Sequence, residues 1–396
     1  MIEVKLVDSR DVWESIESKE LLQSWYWGEF LQSMGRKVWR IGVFDDGKLI
    51  GQAETVLIPG RIRRYLYVLA GPYVIGQETY KCPYQKSDVY KSNYWPIAIP
   101  RETYRELLEK LREYLMKLGK DENCSHVRIE PRLLDTPENN QLLTDSLYKR
   151  SPIFIQCPDL WILDISKSSE NLMKNMRKDV REGVRRGKRK GIFVKSSLNI
   201  SETDSEEFFN TYYKLLVETS ERTGMILESR EYYYNQYRTL TKYGKGVIYT
   251  AYNKQKPVAA LFVAYSSDTL YTLHSGTPNL PNSEICNAPK ILKWRAILDA
   301  KEKNLKYLNF YGISPQGVRR YLEDERIEIP DNLKGEKSEW DGLTKVKKGF
   351  GGYALKLINP YDIKINYKYD MIRVMEKASE YWKKPYAKIL NYFNRN

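Results

Sequence analysis

Histidine is almost missing from this chain. There are two in 396 residues, His126 and His274, each inside a strand-like stretch. A histidine-activated serine or cysteine nucleophile is therefore excluded as an expectation, and so is a histidine-rich metal site. Cysteine is scarce as well: Cys82, Cys124, Cys157 and Cys286 are scattered without a CxxC spacing. That argues against a disulfide framework or a zinc site and fits a reducing compartment. No apolar run approaches the roughly 18–20 residues of a membrane span. Met1–Asp8 alternates like a strand and has no apolar signal core. A cytoplasmic protein is expected. A GxxxxGK[ST] phosphate loop is absent, as is a GxGxxG following a strand.

What the chain does have is apolar residues (42%), aromatics (13%) and a net charge of +14. The first two are ample for folded cores, and the length favours two domains. The charge favours a polyanionic partner, without choosing among nucleic acid, anionic lipid and diphosphate.

The sequence passes twice through one pattern. In the first half a helical stretch, Leu21–Met34, precedes two alternating runs, Val38–Phe44 and Lys48–Ile58, joined by Asp45-Asp-Gly47. An Asp-Gly pair suits a tight hairpin. A third strand (Tyr65–Ala70), an amphipathic helix (Arg101–Leu118) and a short strand (His126–Glu130) follow. The second half repeats this with helices at Glu202–Thr223 and Glu231–Tyr243 and a hairpin of Val247–Tyr252 and Pro257–Tyr265. Strand Thr269–His274, helix Ala288–Lys303 and strand Tyr307–Tyr311 complete it. This order is that of an acetyltransferase-like (GNAT) domain, so an α+β protein of two tandem GNAT-like domains is expected. The expected boundaries are 1–155 and 156–366. A C-terminal amphipathic helix, 367–396, either packs on the first domain or meets a membrane surface. Gln316–Trp340 reads as a surface loop.

Two segments carry the chemistry. Lys174–Lys195 holds ten Lys/Arg against Asp179 and Glu182, a local net charge of 10 − 2 = +8. Leu172, Met173, Met176, Val180 and Val184 give it an apolar stripe at helical spacing, so one cationic helix over Lys174–Lys190 is expected. A run of nearly one sign reads as an anion-binding face, with an RNA backbone the foremost candidate. The second segment is Gly342-Leu-Thr-Lys-Val-Lys-Lys-Gly-Phe-Gly-Gly-Tyr353, three lysines among four glycines. By itself it reads as a basic hairpin turn after a buried strand, or as lysines placed to hold a phosphate or an oxyanion.

That closing segment, with Gln23-Ser-Trp-Tyr-Trp-Gly-Glu-Phe30, Arg181–Gly191 and Thr219-Ser-Glu-Arg-Thr-Gly224, resembles the FemABX family in its compact form. The resemblance implies an enzyme that moves an amino acid from aminoacyl-tRNA onto an amine of a peptidoglycan precursor. It implies Lys347 as the residue steadying the aminoacyl ester and its oxyanion, with Glu130 assisting proton removal. It also implies Arg222, Tyr271 and Tyr311 as substrate-binding residues. The expected tRNA-binding residues are Arg181, Arg185, Lys188, Arg189, Lys190 and Lys348. The Gln/Arg-x-x-Gly-x-Gly/Ala loop that grips acetyl-CoA in ordinary acetyltransferases is absent, so no CoA and no other cofactor is expected. The expected partners are aminoacyl-tRNA and a lipid-linked or nucleotide-linked muropeptide. Val346 replaces the family's frequent Phe before the late lysine, and Leu31 and Gln32 stand where some members carry a phosphate-gripping lysine. Two other readings stay open: a transferase with an acceptor outside the cell wall, and a non-catalytic RNA-binding protein.

Overall fold

The computed structural model describes residues 1–80, 95, 97–198, 202–285, 287–322 and 339–381. Along the chain come β1 (Ile2–Leu6), α1 (Arg10–Glu14), α2 (Trp25–Ser33), β2 (Val38–Asp45), β3 (Lys48–Ile58), β4 (Tyr65–Val68) and β5 (Tyr73–Val74). Next are α3 (Arg101–Asp121), β6 (His126–Ile129), α4 (Pro137–Asp145), β7 (Lys149–Arg150), β8 (Asp159–Asp164), α5 (Ser169–Asn175), α6 (Lys178–Arg189) and β9 (Phe193–Ser196). Then follow α7 (Glu202–Thr223), α8 (Arg230–Lys242), β10 (Gly246–Asn253), β11 (Lys256–Ser266), β12 (Thr269–Gly276), α9 (Asn282–Ile285) and α10 (Ala288–Glu302). The chain continues through β13 (Tyr307–Gly312), α11 (Pro315–Leu322), α12 (Glu339–Lys348), β14 (Tyr353–Lys356), β15 (Tyr361–Lys364) and α13 (Lys368–Tyr381).

Two compact units result. The first comprises Met1–Leu160, Gly312–Asp341 and Ala354–Asn396; the second comprises Trp161–Tyr311 and Gly342–Tyr353. Each is organised around a mixed sheet. The first sheet runs β1-β2-β3-β4-β6-β15-β7, with β5 on β3, and the second runs β14-β8-β13-β12-β11-β10-β9. In both, an antiparallel hairpin leads to a strand that pairs in parallel after a helical crossover: β4 with β6 in the first, β12 with β13 in the second. This is the α+β, doubled acetyltransferase-like architecture. Its cores follow from alternation. Tyr104, Leu107, Leu108, Leu111 and Leu115 of α3 bury one helical face against β-strand residues such as Val68, Val127 and Ile129.

The N-terminal aromatic motif serves this fold. Gln23 donates to the Leu69 carbonyl and accepts from the Glu54 amide at 2.9 Å, tying two strands together. Ser24 caps α2 through the Trp27 amide. Trp27 and Phe30 are buried edge to face with ring centroids 5.3 Å apart. Gly28 leaves the space that the buried Glu54 carboxyl fills. Burial pushes that carboxyl up to about 8, against the opposing pull of Arg40.

Four expectations need correction. The second domain is expected to reach residue 366, but β15 pairs antiparallel with β6 in the first sheet, Tyr361 opposite Ile129 and Ile363 opposite Val127. A buried ion cluster explains the return. Arg128 grips Asp362 through Nε at 2.8 Å and Nη2 at 3.0 Å, and reaches Glu376 of α13 at 2.8 Å. Arg63 adds a 2.5 Å contact to Glu376. The expected single basic helix is two, broken at Met176–Arg177, where Met176 is extended and buried. The lysines of the closing segment end helix α12 instead of forming a hairpin turn. Of the expected loop Gln316–Trp340, the part to Leu322 belongs to helix α11. Residues 323–338 lie outside the described residues, as do Cys82, Cys286 and the tail from Trp382 onward.

Candidate active site

The closing segment Gly342–Tyr353 is a clasp in which close approach or positive φ dictates the glycines at 349, 351 and 352. Gly349 faces Val180 of α6, whose Cγ2 would lie 2.6 Å from an added Cβ. Its carbonyl accepts the Arg177 amide at 2.9 Å. Phe350 is fully buried against Phe310, with ring centroids 5.7 Å apart. Gly351 and Gly352 have φ of +86° and +97°, a region that side chains other than glycine's avoid. The Gly351 carbonyl accepts the Trp161 indole N–H at 2.8 Å, and any Cβ on Gly352 would strike the Ile162 carbonyl. The Gly-Phe-Gly-Gly run thus nails the end of α12 to β8 and to the start of α6.

This clasp joins the two basic segments within the second unit. The Arg177 guanidinium donates to the Lys345 carbonyl at 3.2 Å and pairs with Asp179, Nη2 to Oδ2 at 2.9 Å. That hydrogen bond holds the Asp179 carboxyl down to about 2. Lys347 and Lys348 are half-buried on the last turn of α12, a favourable place for cations at the negative end of a helix. Lys348 Nζ lies 5.7 Å from the centroid of the Trp161 ring.

Helix α6 presents its expected contacts unevenly. Arg185, Lys188, Arg189 and Lys190 are exposed. Arg181 is half-buried and turned to the backbone, capping α5 through the carbonyls of Lys174 at 3.0 Å and Met176 at 3.2 Å. Val180, Gly183, Val184 and Gly187 form the buried edge of α6, and Gly183 lets it approach Lys290 and Asn287 of α10.

The other expected site residues fall in three places. Tyr271 is fully buried on β12, 5.6 Å ring to ring from Tyr311, the penultimate residue of β13, which has φ of +59°. Tyr311 follows Phe310, the partner of Phe350, so this tyrosine pair adjoins the clasp. Arg222, exposed at the end of α7, donates to Thr277 Oγ1 at 2.8 Å and to the carbonyls of Thr277 and Pro278. Glu130 belongs to the first unit. Its buried carboxylate accepts from the Tyr67 hydroxyl and from the amides of Ile155 at 2.8 Å and Gln156 at 3.0 Å. Burial pushes its carboxyl up, against Arg132 and those hydrogen bonds.

Sequence reading missed Arg177 and Trp161, which hold the clasp, and Lys293, which lines a cavity in the second unit. The only trace of Lys293 was a lysine inside the apolar run Ile291-Leu-Lys-Trp294. Among the described residues, no helix is long and apolar enough to cross a membrane.

Comparison with known proteins agrees with this architecture. The acetyltransferase (GNAT) domain family matches residues 174–321. The structure of FemX superposes with a TM-score of 0.70 at 17% identity, over 94% of this chain and all of that one. A conserved protein of unknown function from Bacteroides thetaiotaomicron VPI-5482 superposes with a TM-score of 0.52 at 12% identity, over 92% of this chain and all of that one. Comparison with curated proteins finds no match. Residues 174–321 are thus similar to the GNAT domain family, and the chain has the fold of FemX, two acetyltransferase-like halves in tandem.

Proposed function

We propose that the protein is an aminoacyltransferase that moves an amino acid from aminoacyl-tRNA to an amine on the stem peptide of a peptidoglycan precursor. One observation supports this above the rest: the glycine clasp seats the end of α12, which carries Lys347 and Lys348, against the start of α6, a helix with five exposed cations. An aminoacyl ester is already activated, so neither a protein nucleophile nor a cofactor is required. In this reading the exposed cations of α6 and Lys348 hold the tRNA backbone, and Lys347 stands over the ester. The acceptor amine attacks the ester carbonyl, the tetrahedral oxyanion leans on the Lys347 ammonium, and the C–O bond to the ribose breaks as the amide forms. The amine's proton goes to the departing ribose oxygen. The three donors already facing Glu130 favour that substrate-assisted route over Glu130 as the base. Arg222 and Tyr311 line the acceptor side, with the buried Tyr271 backing Tyr311.

The test is transfer of labelled amino acids from a mixed charged-tRNA pool to a lipid-linked muropeptide. Lys347→Met is expected to slow transfer by about 10²–10³-fold, the usual cost of one oxyanion donor, with an unchanged melting temperature. Transfer at the native rate in that variant would remove Lys347 from the chemistry. No transfer by the native protein, with tRNA binding intact, would replace this reading with plain RNA binding or another acceptor.

A further inference from the structure

Within the second unit, the exit of β12 (Ser275, Thr277), the end of α7 (Thr219) and the first turns of α10 enclose a cavity of about 90 Å³. Pro289, Leu292 and Lys293 line it at i, i+3 and i+4, one face of α10. The walls are fixed. Thr219 Oγ1 accepts the Thr277 amide at 2.8 Å and donates to the Thr277 carbonyl at 3.0 Å, and Gly276 leaves no room for a Cβ beside the Leu215 backbone, its nearest atom there 2.5 Å away.

Lys293 is the unexplained group. Its ammonium has no partner among the described residues, nor does the hydroxyl of the exposed Ser275, whereas several charges on the flanking helices are answered. On α7, Glu218 accepts the Asn279 amide at 3.1 Å and Arg222 is bonded to Thr277. On α10, Lys290 bonds the Asp179 carbonyl at 3.1 Å and Arg295 pairs with Asp299 at 2.6 Å. No carboxylate lines the cavity. Burial alone pushes the Lys293 amine down to about 8, with no acidic group drawing it back. A half-buried, unpaired ammonium is costly to keep unless something compensates it part of the time.

We infer that this cavity is an anion subsite in which Lys293 and Ser275 bind a small oxyanion, a carboxylate or phosphoryl group on a bound substrate. The chemistry follows from the lining: one cation, one free hydroxyl, no acid, and the Arg222 guanidinium on Thr277 adding positive potential at the rim. The volume admits a group of that size. The inference does not rest on the aminoacyl-transfer reading, because the cavity and its charge belong to any substrate of this unit.

The test is pH-resolved labelling of lysines by an amine-reactive reagent, read peptide by peptide by mass spectrometry. Lys293 is expected to react at lower pH than the exposed lysines. The probes are N-acetyl-D-alanine, its carboxamide, and inorganic phosphate. At about ten times its Kd, a bound anion should slow Lys293 labelling about tenfold, since one site in about ten stays empty. It should also raise the apparent pKa of the amine by about one unit or more. Protection by N-acetyl-D-alanine but not by its carboxamide identifies a carboxylate site; protection by phosphate alone identifies a phosphoryl site. Equal labelling with and without every anion, or an ordinary lysine profile for Lys293, overturns the proposal. Titrated calorimetrically with the same probes, Lys293→Arg should retain anion binding and Lys293→Gln should lose it, with the melting temperature of each reporting the fold. Labelling requires no turnover, so its result stands apart from the transfer assay.

Discussion

The two units share one architecture and use charge in opposite ways. In the first, the notable charged residues face inward and answer one another. Arg128 sits fully buried between Asp362 and Glu376, and Arg132 meets Glu20 at 3.2 Å. Glu130 fastens the backbone at 155–156. In the second, the cations of α6 stay on the surface and Lys293 has no partner among the described residues. A charge that is buried and satisfied fixes a fold. A charge left facing solvent contributes little to the fold. One fold therefore accommodates both uses of charge, according to where the side chains are answered.

That contrast can be broken most sharply at Arg128. Arg128→Met strips two buried carboxylates of their partner and is expected to destabilise the protein by about 3–5 kcal/mol, measured by denaturant unfolding. A loss below about 1 kcal/mol would mean that the cluster does not hold the first unit together. Next comes Gly352→Ala in the second unit. A non-glycine residue at φ of +97° costs about 1–3 kcal/mol before its clash with Ile162, and the clasp should loosen, with transfer activity falling alongside the melting temperature. The surface cations are expected to matter to binding alone. Replacing Arg185, Lys188 and Arg189 with Gln should leave thermal stability within about 0.5 kcal/mol. It should make the logarithmic salt dependence of tRNA binding shallower by about 2–3; an unchanged slope would move the RNA contact off α6.

The smallest effect belongs to Asp179. Its folded pKa is depressed, so its pairing with Arg177 stabilises above the ordinary carboxylate range and is lost as pH falls through about 2. The pair is exposed, 41% and 53% for the two side chains, so Asp179→Asn should shift stability at pH 7 by no more than about 0.5 kcal/mol. A larger shift would reveal a buried contribution from the start of α6.

Much of the doubled architecture was legible because it is local. The alternation of Val38–Phe44 and Lys48–Ile58 around Asp46-Gly47 announces a hairpin, and the leucines of α3 announce a buried helical face. What escaped was non-local. Nothing in Tyr361–Lys364 says that it pairs with β6, because its partner lies more than 230 residues earlier. The break between α5 and α6 is set by the clasp, whose Gly349 carbonyl takes the Arg177 amide. For the candidate site, sequence pattern located the lysine and glycine positions. It did not show that the glycines serve docking, that Arg181 is turned to the backbone, or that Lys293 faces a cavity.

The return of β15 and α13 to the first sheet also sets an order of assembly. All strands of the second sheet are available once residue 356 has been made, whereas the first still lacks β15 and the Arg128 partners at 362 and 376. Those contacts span 234 and 248 residues, the kind of closure that slows folding. The half that begins first along the chain is therefore the half whose sheet closes last, β6 keeping an open edge until β15 has been made.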